Sequence, residues 1–356
     1  MKTTNNADSK LLLKVFGWLT GITLLCCLFT GLYSAGMFLI VKENVNLLPT
    51  PTLDLACDDT NCLNACLRKV PAFVINFPAE HRDKLLQEEE GYELARYWVS
   101  QSDKQLEGMS QPAVPEYLKG YQDDVELHTE IWNYFKATFP ADKRIHISYI
   151  TIYVDVTDDR AAASVYEFSD GLWDLSINLF DFDSSYSATD ILSHEYGHIL
   201  TLNYTQVYEI GYGYQDPMTR KEFDTKRGQC GGDFFTGYEC SAKSSYLNQF
   251  GDRFWSDEVY ETWANAFLLL DKEEGEYRKA LDDFYSKYPD QFVTAYAATN
   301  PKEDIAESWA EFVMRPKPIG ASIADQKVQF FYEYPELVKI RREILQGVCK
   351  YASEQK

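Results

Sequence analysis

Histidine is scarce in this chain of 356 residues: there are five, His81, His128, His146, His194 and His198. Basic charge is scarce as well. Lys and Arg number 34 against 55 Asp and Glu, a formal net charge of −21, and no Lys/Arg block breaks the deficit. Binding a phosphate backbone needs a basic face, so this composition argues against a nucleic-acid partner. The acidity reads as a well-solvated surface. No solenoid-type repeat and no low-complexity tract occur, which removes repeat arrays from consideration. Material for a core is plentiful, at 45% hydrophobic and 15% aromatic residues, and the length permits one large domain or two ordinary ones.

Charge is missing altogether from residues 15–41, VFGWLTGITLLCCLFTGLYSAGMFLIV, which follow Lys2, Lys10 and Lys14. A bilayer core needs about 20 apolar residues in a helix, and a signal-peptide core is only about 7 to 15 long. The run therefore predicts a single transmembrane anchor behind a short cytoplasmic tail (1–14), with a secreted form after signal cleavage as the alternative. Lysines ahead of the run put the N-terminus inside, the remainder of the chain outside, and the protein in the cell membrane. Six cysteines lie beyond the anchor: Cys57, Cys62, Cys66, Cys230, Cys240 and Cys349. An even number in an extracytoplasmic chain suggests disulfides, with a Cys230–Cys240 bridge as one candidate. Free buried thiols are the bland alternative. A metal cluster on Cys57, Cys62 and Cys66 is disfavoured by spacings of five and four that match no common zinc knuckle.

Beyond a linker or Cys-containing segment (42–70), patterns of three and four predict helices over 80–108 and 123–138, hence a helical N-terminal subdomain over 71–140. The period then changes. HISYITIYVDV (146–156), SVYEF (164–168) and LWDLSINLF (172–180) read as strands, with Asp170-Gly171 as a hairpin turn between the last two. Ser187 to Asp190 forms the pattern of a capping box opening a helix. Residues 203–252 show little periodicity and read as a partly irregular excursion. Helices are predicted again over 257–270, over 303–314, and in a C-terminal run broken near Pro335. The expected fold class is α+β.

Two of the rare histidines fall in HEYGH (194–198), inside that predicted helix. Positions four apart share a helix face, so His194 and His198 can offer two ring nitrogens to one ion. Zinc takes nitrogen, sulfur and carboxylate ligands in a tetrahedron, and a catalytic zinc keeps one position open. Glu195 lies beside the pair, where a base could take a proton from activated water. Gly197 weakens a helix by about 1 kcal/mol, which suggests a close neighbour. A buried helix with two hydrogen-bonded histidines is the bland alternative. The metzincin extension is absent, because Thr201 and Tyr204 stand where its Gly and His would be. The remaining histidines lie in unrelated upstream segments, which leaves a carboxylate from a later helix as third ligand. Two helices compete: Asp257-Glu258-Val-Tyr-Glu261 and Glu303-Asp304-Ile-Ala-Glu307. Only the second has a tyrosine, Tyr296, seven residues before its first glutamate.

HEYGH followed by TAYAATNPKEDIAESWAEF resembles the gluzincin metallopeptidases of the anthrax lethal factor type and the related Pro-Pro endopeptidases. The likeness spans roughly 172–315 and does not cover the anchor, the cysteines or the excursion. It implies a zincin-like domain over 141–350, built of a small twisted sheet, an HExxH helix and a helical C-terminal part. Carried over by position, His194, His198 and Glu303 would bind Zn2+, Glu195 would be the general base, and Tyr296 would stabilise the oxyanion. Glu307, one turn after Glu303, is inferred to hold a ligand histidine. Tyr296 as a packed aromatic, Glu303 as a helix-start carboxylate and Glu307 as a surface residue are the competing readings. The expected function is a membrane-anchored, extracytoplasmic zinc endopeptidase acting on a protein or peptide that lies along the strand at 172–180 as an edge. The alternatives are a catalytically silent zincin-fold binding or adhesion protein, and an enzyme held latent by its own N-terminal segment.

Overall fold

The structure is a computed structural model that describes residues 60–355 apart from 71–72, 74–76, 89–90, 101–103, 143–146, 158–159, 170, 183, 211–217 and 271–273. The expected tail and anchor (1–14 and 15–41), Cys57, His146 and Asp170 lie outside the described residues. Among the described residues no helix is long and apolar enough to cross a membrane.

In chain order the elements are α1 (Thr60–Leu67), α2 (Ala79–Glu88), β1 (Tyr92–Val99), β2 (Leu106–Ser110), α3 (Lys119–Gln122), α4 (Val125–Thr138), β3 (Ile147–Val154), β4 (Ala163–Ser169) and β5 (Leu172–Asn178). They continue with α5 (Ser185–Thr201), β6 (Val207–Tyr208), α6 (Arg220–Gln229), β7 (Cys240–Ser241), α7 (Tyr246–Phe254), α8 (Asp257–Phe267), α9 (Glu274–Lys287), α10 (Pro301–Met314), α11 (Ile323–Phe330) and α12 (Pro335–Glu354). This is an α+β fold with one mixed five-stranded sheet, in the order β2-β1-β3-β5-β4, and a two-stranded β6–β7 ribbon.

Alternation along the central strands explains which face carries the core. Ile150, Ile152 and Val154 of β3, with Leu175 and Ile177 of β5, are fully buried. Each such side chain contributes about 1.5–3 kcal/mol on burial. Helix α4 brings Trp132, Tyr134 and Phe135 into the same core, and Phe139 just beyond it packs on Tyr196 of α5 with ring centroids 5.0 Å apart. The opposite face carries polar pairs, with Arg96 of β1 at 2.6 Å from Asp174 of β5. β4 and β5 form the expected hairpin, and Gly171 at its turn has φ 72°, a conformation glycine adopts without penalty.

Several expectations need correction. The helix predicted over 80–108 ends at Glu88, and β1 and β2 follow it. β1 pairs antiparallel with β3, so this stretch of the expected helical N-terminal subdomain shares the sheet that precedes HEYGH. Tyr92, Tyr97, Trp98 and Val99 favour a pleated surface, and the interspersed Glu and Arg residues disguised that preference. The strand at 172–180 is not an edge: β5 lies between β3 and β4, and β4 is the edge on that side of the sheet. Helix α5 begins at Ser185, with Ser184 rather than Ser187 as the N-cap accepting from the Ser187 N–H at 3.0 Å. Among its described residues, the excursion at 203–252 holds α6, the β6–β7 ribbon and most of α7. Helix α9 had no counterpart in the sequence reading.

Disulfides join Cys66 to Cys349, clipping α1 to α12, and Cys230 to Cys240 as anticipated. Cys62 is also disulfide-bonded. Its sulfur lies 3.7 Å from that of Cys349, but with these sulfurs committed to disulfides the cluster offers no thiolate set to a metal.

Candidate metal centre

The centre is formed where α5 and α10 pack against each other. Gly197 makes that approach possible: a Cβ added there would stand 2.9 Å from Trp309 Cδ1 and 3.3 Å from the Ala306 Cα. Helix α10 is started by Asn300, whose side chain accepts from the Lys302 N–H at 2.9 Å and the Glu303 N–H at 3.1 Å, with Pro301 in the first turn. Pro is suited to that position because its missing N–H would be unpaired anyway. The same turn is tied down by a buried ion pair, Asp304 to Lys327 of α11 at 2.6 Å, and by the Trp255 indole N–H donating to Asp304 at 2.8 Å. Both members of the ion pair are fully buried, so the start of α10 has little freedom.

Three donor atoms converge as a result. His194 Nε2 lies 3.0 Å from Glu303 Oε2, His198 Nε2 lies 3.2 Å from the same oxygen, and the two Nε2 atoms are 3.0 Å apart. These side chains are about nine-tenths buried. The group could hold a metal ion. Its dimensions fit: bonds of about 2.0–2.1 Å in a tetrahedron put ligand atoms about 3.3–3.4 Å apart. Its chemistry also fits, since two imidazoles and a carboxylate suit borderline cations.

On the far side of His194, Nδ1 meets Glu307 Oε1 at 2.7 Å. Glu307 also accepts from the Thr294 hydroxyl at 2.6 Å. Without a cation, burial lowers the His194 pKa, but hydrogen bonds to Glu303 and Glu307 outweigh it and hold the ring well above its ordinary value. Glu303 moves the opposite way. Burial raises it, yet the facing His198 and His194 take it well below the usual carboxylate range. His198 Nδ1 is buried with no hydrogen-bond partner among the described residues.

Glu195 is buried, and burial is the main cause of its raised pKa, opposed by His194 and His198. The Val165 backbone, on edge strand β4, lies near enough to the carboxylate to act as a small lowering influence on it. Tyr296 sits in a short 3-10 turn, Tyr296–Ala298, its ring centroid 5.7 Å from that of His194. All six residues singled out from the sequence (His194, Glu195, His198, Tyr296, Glu303 and Glu307) thus belong to this one neighbourhood. The competing helix is engaged elsewhere: Glu261 of α8 is bound by Arg220 and Arg227, and Glu258 by Tyr288 and Lys287. Of the other histidines, His128 bonds the Tyr97 hydroxyl at 2.8 Å and His81 lies 3.3 Å from the Tyr121 hydroxyl. Thr294 was missed. Thr294 stands two residues ahead of Tyr296, but nothing local in the sequence says that it reaches Glu307.

Comparison of the chain with family models, with curated proteins and with solved structures finds no match.

Proposed function

We propose that this chain is a zinc endopeptidase of zincin-like build and gluzincin type, in which His194, His198 and Glu303 hold the metal. The observation that carries this reading is the convergence of those three donor atoms beside Glu195 and Tyr296. A bound zinc would polarise a scissile carbonyl and make its water more acidic, toward a pKa of about 7. Glu195 would accept the proton of the attacking water and deliver it to the leaving amine. The Tyr296 hydroxyl would donate to the oxygen on which negative charge develops. Glu195 lies near Val165 of edge strand β4, so an extended peptide pairing along β4 would present its carbonyl near the base. The disulfides, Cys66–Cys349, Cys230–Cys240 and the one on Cys62, favour an oxidising compartment, consistent with a chain anchored in the cell membrane through 15–41 with its site outside.

The test uses the full chain in detergent, with zinc measured by elemental analysis and cleavage measured on a mixed peptide library. The reading expects about one zinc per chain, lost in Glu303→Ala and kept in Glu258→Ala, and hydrolysis that follows the zinc. Zinc bound without hydrolysis would favour a silent binding protein. No zinc at all would leave α5 as a helix with two well-placed histidines.

A further inference from the structure

One hydroxyl touches both halves of the site. Thr294 Oγ1 donates to Glu307 Oε2 at 2.6 Å, and Glu307 Oε1 meets His194 Nδ1 at 2.7 Å. The same oxygen accepts from the Ala297 N–H at 3.0 Å, inside the 3-10 turn that carries Tyr296. A threonine hydroxyl has one proton to donate and two lone pairs to accept, so both bonds form at once.

We propose that Thr294 is a positioning residue that sets the orientation of the His194 ring and the placement of the Tyr296 hydroxyl together. The inference rests on the zinc-peptidase reading. On the metal side, a carboxylate can only accept, so Glu307 keeps a proton on His194 Nδ1 and directs Nε2 toward Glu303 and His198. With both Thr294 and His194 satisfied at its two oxygens, Glu307 has a single arrangement. Losing the Thr294 donor would free one oxygen and let the carboxylate rotate away. On the tyrosine side, the Ala297 N–H bond closes the turn directly after Tyr296, and without it the turn would lose its fixed register to His194. The effect matters because His198 has no comparable support at Nδ1 among the described residues. His194 is thus the ligand through which the surrounding shell can act.

The experiment uses the full chain with Thr294→Val, which keeps the shape and removes the hydroxyl, and Thr294→Ser, which keeps the hydroxyl. Zinc affinity is read by competition with a chromophoric chelator, and kcat and KM are read on a cleaved peptide at saturating zinc. Thr294→Val should weaken zinc binding about tenfold. Its kcat should stay about tenfold or more below the parent even with zinc saturated, with KM little changed. Thr294→Ser should restore both. Because Thr294 acts through two different residues, adding Thr294→Val to Glu307→Gln should weaken zinc no further, and adding it to Tyr296→Phe should slow turnover no further. Parent-like zinc affinity and kcat in Thr294→Val, or fully additive losses in both double variants, would overturn the inference while leaving the peptidase reading intact. A parent that binds zinc and cleaves nothing overturns the peptidase reading, and the zinc affinities alone then decide whether Thr294 supports His194. A parent that binds no zinc overturns both.

Discussion

Gly197 faces Trp309 so closely that any Cβ on the first would stand 2.9 Å from Cδ1 of the second. Glycine at this point of a helix costs about 1 kcal/mol relative to alanine. The chain accepts that cost because α5 and α10 must approach for Glu303 to reach the two histidines. Gly197→Ala is therefore expected to destabilise, by about 1–3 kcal/mol from overpacking, although it improves helix propensity. Urea denaturation reads the sign, and a more stable variant would show that the Trp309 ring can move aside.

If Glu195 is the base and not a ligand, as proposed, Glu195→Gln should slow hydrolysis while zinc stays bound. The loss in kcat should be about 10²–10⁴-fold, the range for a positioned proton acceptor. Loss of zinc in this variant would instead mark Glu195 as a ligand or as a support for the fold.

Tyr296→Phe should lower kcat by about 10²–10³-fold, the scale for one donor to a developing oxyanion, with zinc affinity unchanged. The ring contact with His194 survives this substitution, so only the hydroxyl is tested. Unaltered turnover would make Tyr296 a packing residue.

Asp190, one turn before His194, is half-buried, and its desolvation, followed by the nearby Glu307 and Glu311, raises its pKa from 3.8 to about 7, against Arg315 and His194. The folded protein thus holds a proton that the unfolded chain releases. That stability is present below the unfolded pKa and is lost as pH rises through about 7. In chelated protein, the stability of Asp190→Asn relative to the parent should increase between pH 5 and pH 8. An equal difference at both pH values would mean that Asp190 titrates normally.

Lys327 and Asp304 leave water entirely to meet each other. Lys327→Met strands the carboxylate and should destabilise by about 3–5 kcal/mol. Adding Asp304→Asn removes the second charge and should recover part of the loss. A single variant as stable as the parent would show that Asp304 has picked up a proton or another partner.

The residues of the candidate site were more legible than the architecture that holds them. His194, Glu195 and His198 are local, and helix periodicity alone puts the histidines on one face. Glu303 was reachable through the resemblance to gluzincins, which implies a tyrosine seven residues before the ligand glutamate, and Glu307 by lying one helix turn later. The sheet order was not reachable. Nothing in LWDLSINLF says whether the strand has one neighbour or two, because edge and interior strands differ in what pairs with them rather than in their own residues. β1 was read as helix since YELARYWV mixes charges with aromatics, and only its pairing with β3 settles the conformation. Thr294 was invisible for a related reason: its hydrogen bond to Glu307 spans 13 residues and a change of element.

The Cys66–Cys349 bridge spans 283 residues and so closes nearly the whole described chain into a covalent ring. A ring is not divided by one cut. A single nick in any loop between those cysteines, including one made by the protein on itself, would leave every strand and helix attached to the segment ahead of Cys66. After such a nick, freeing any part of the ring from that segment would take a second cut between the two cysteines or reduction of that one bond.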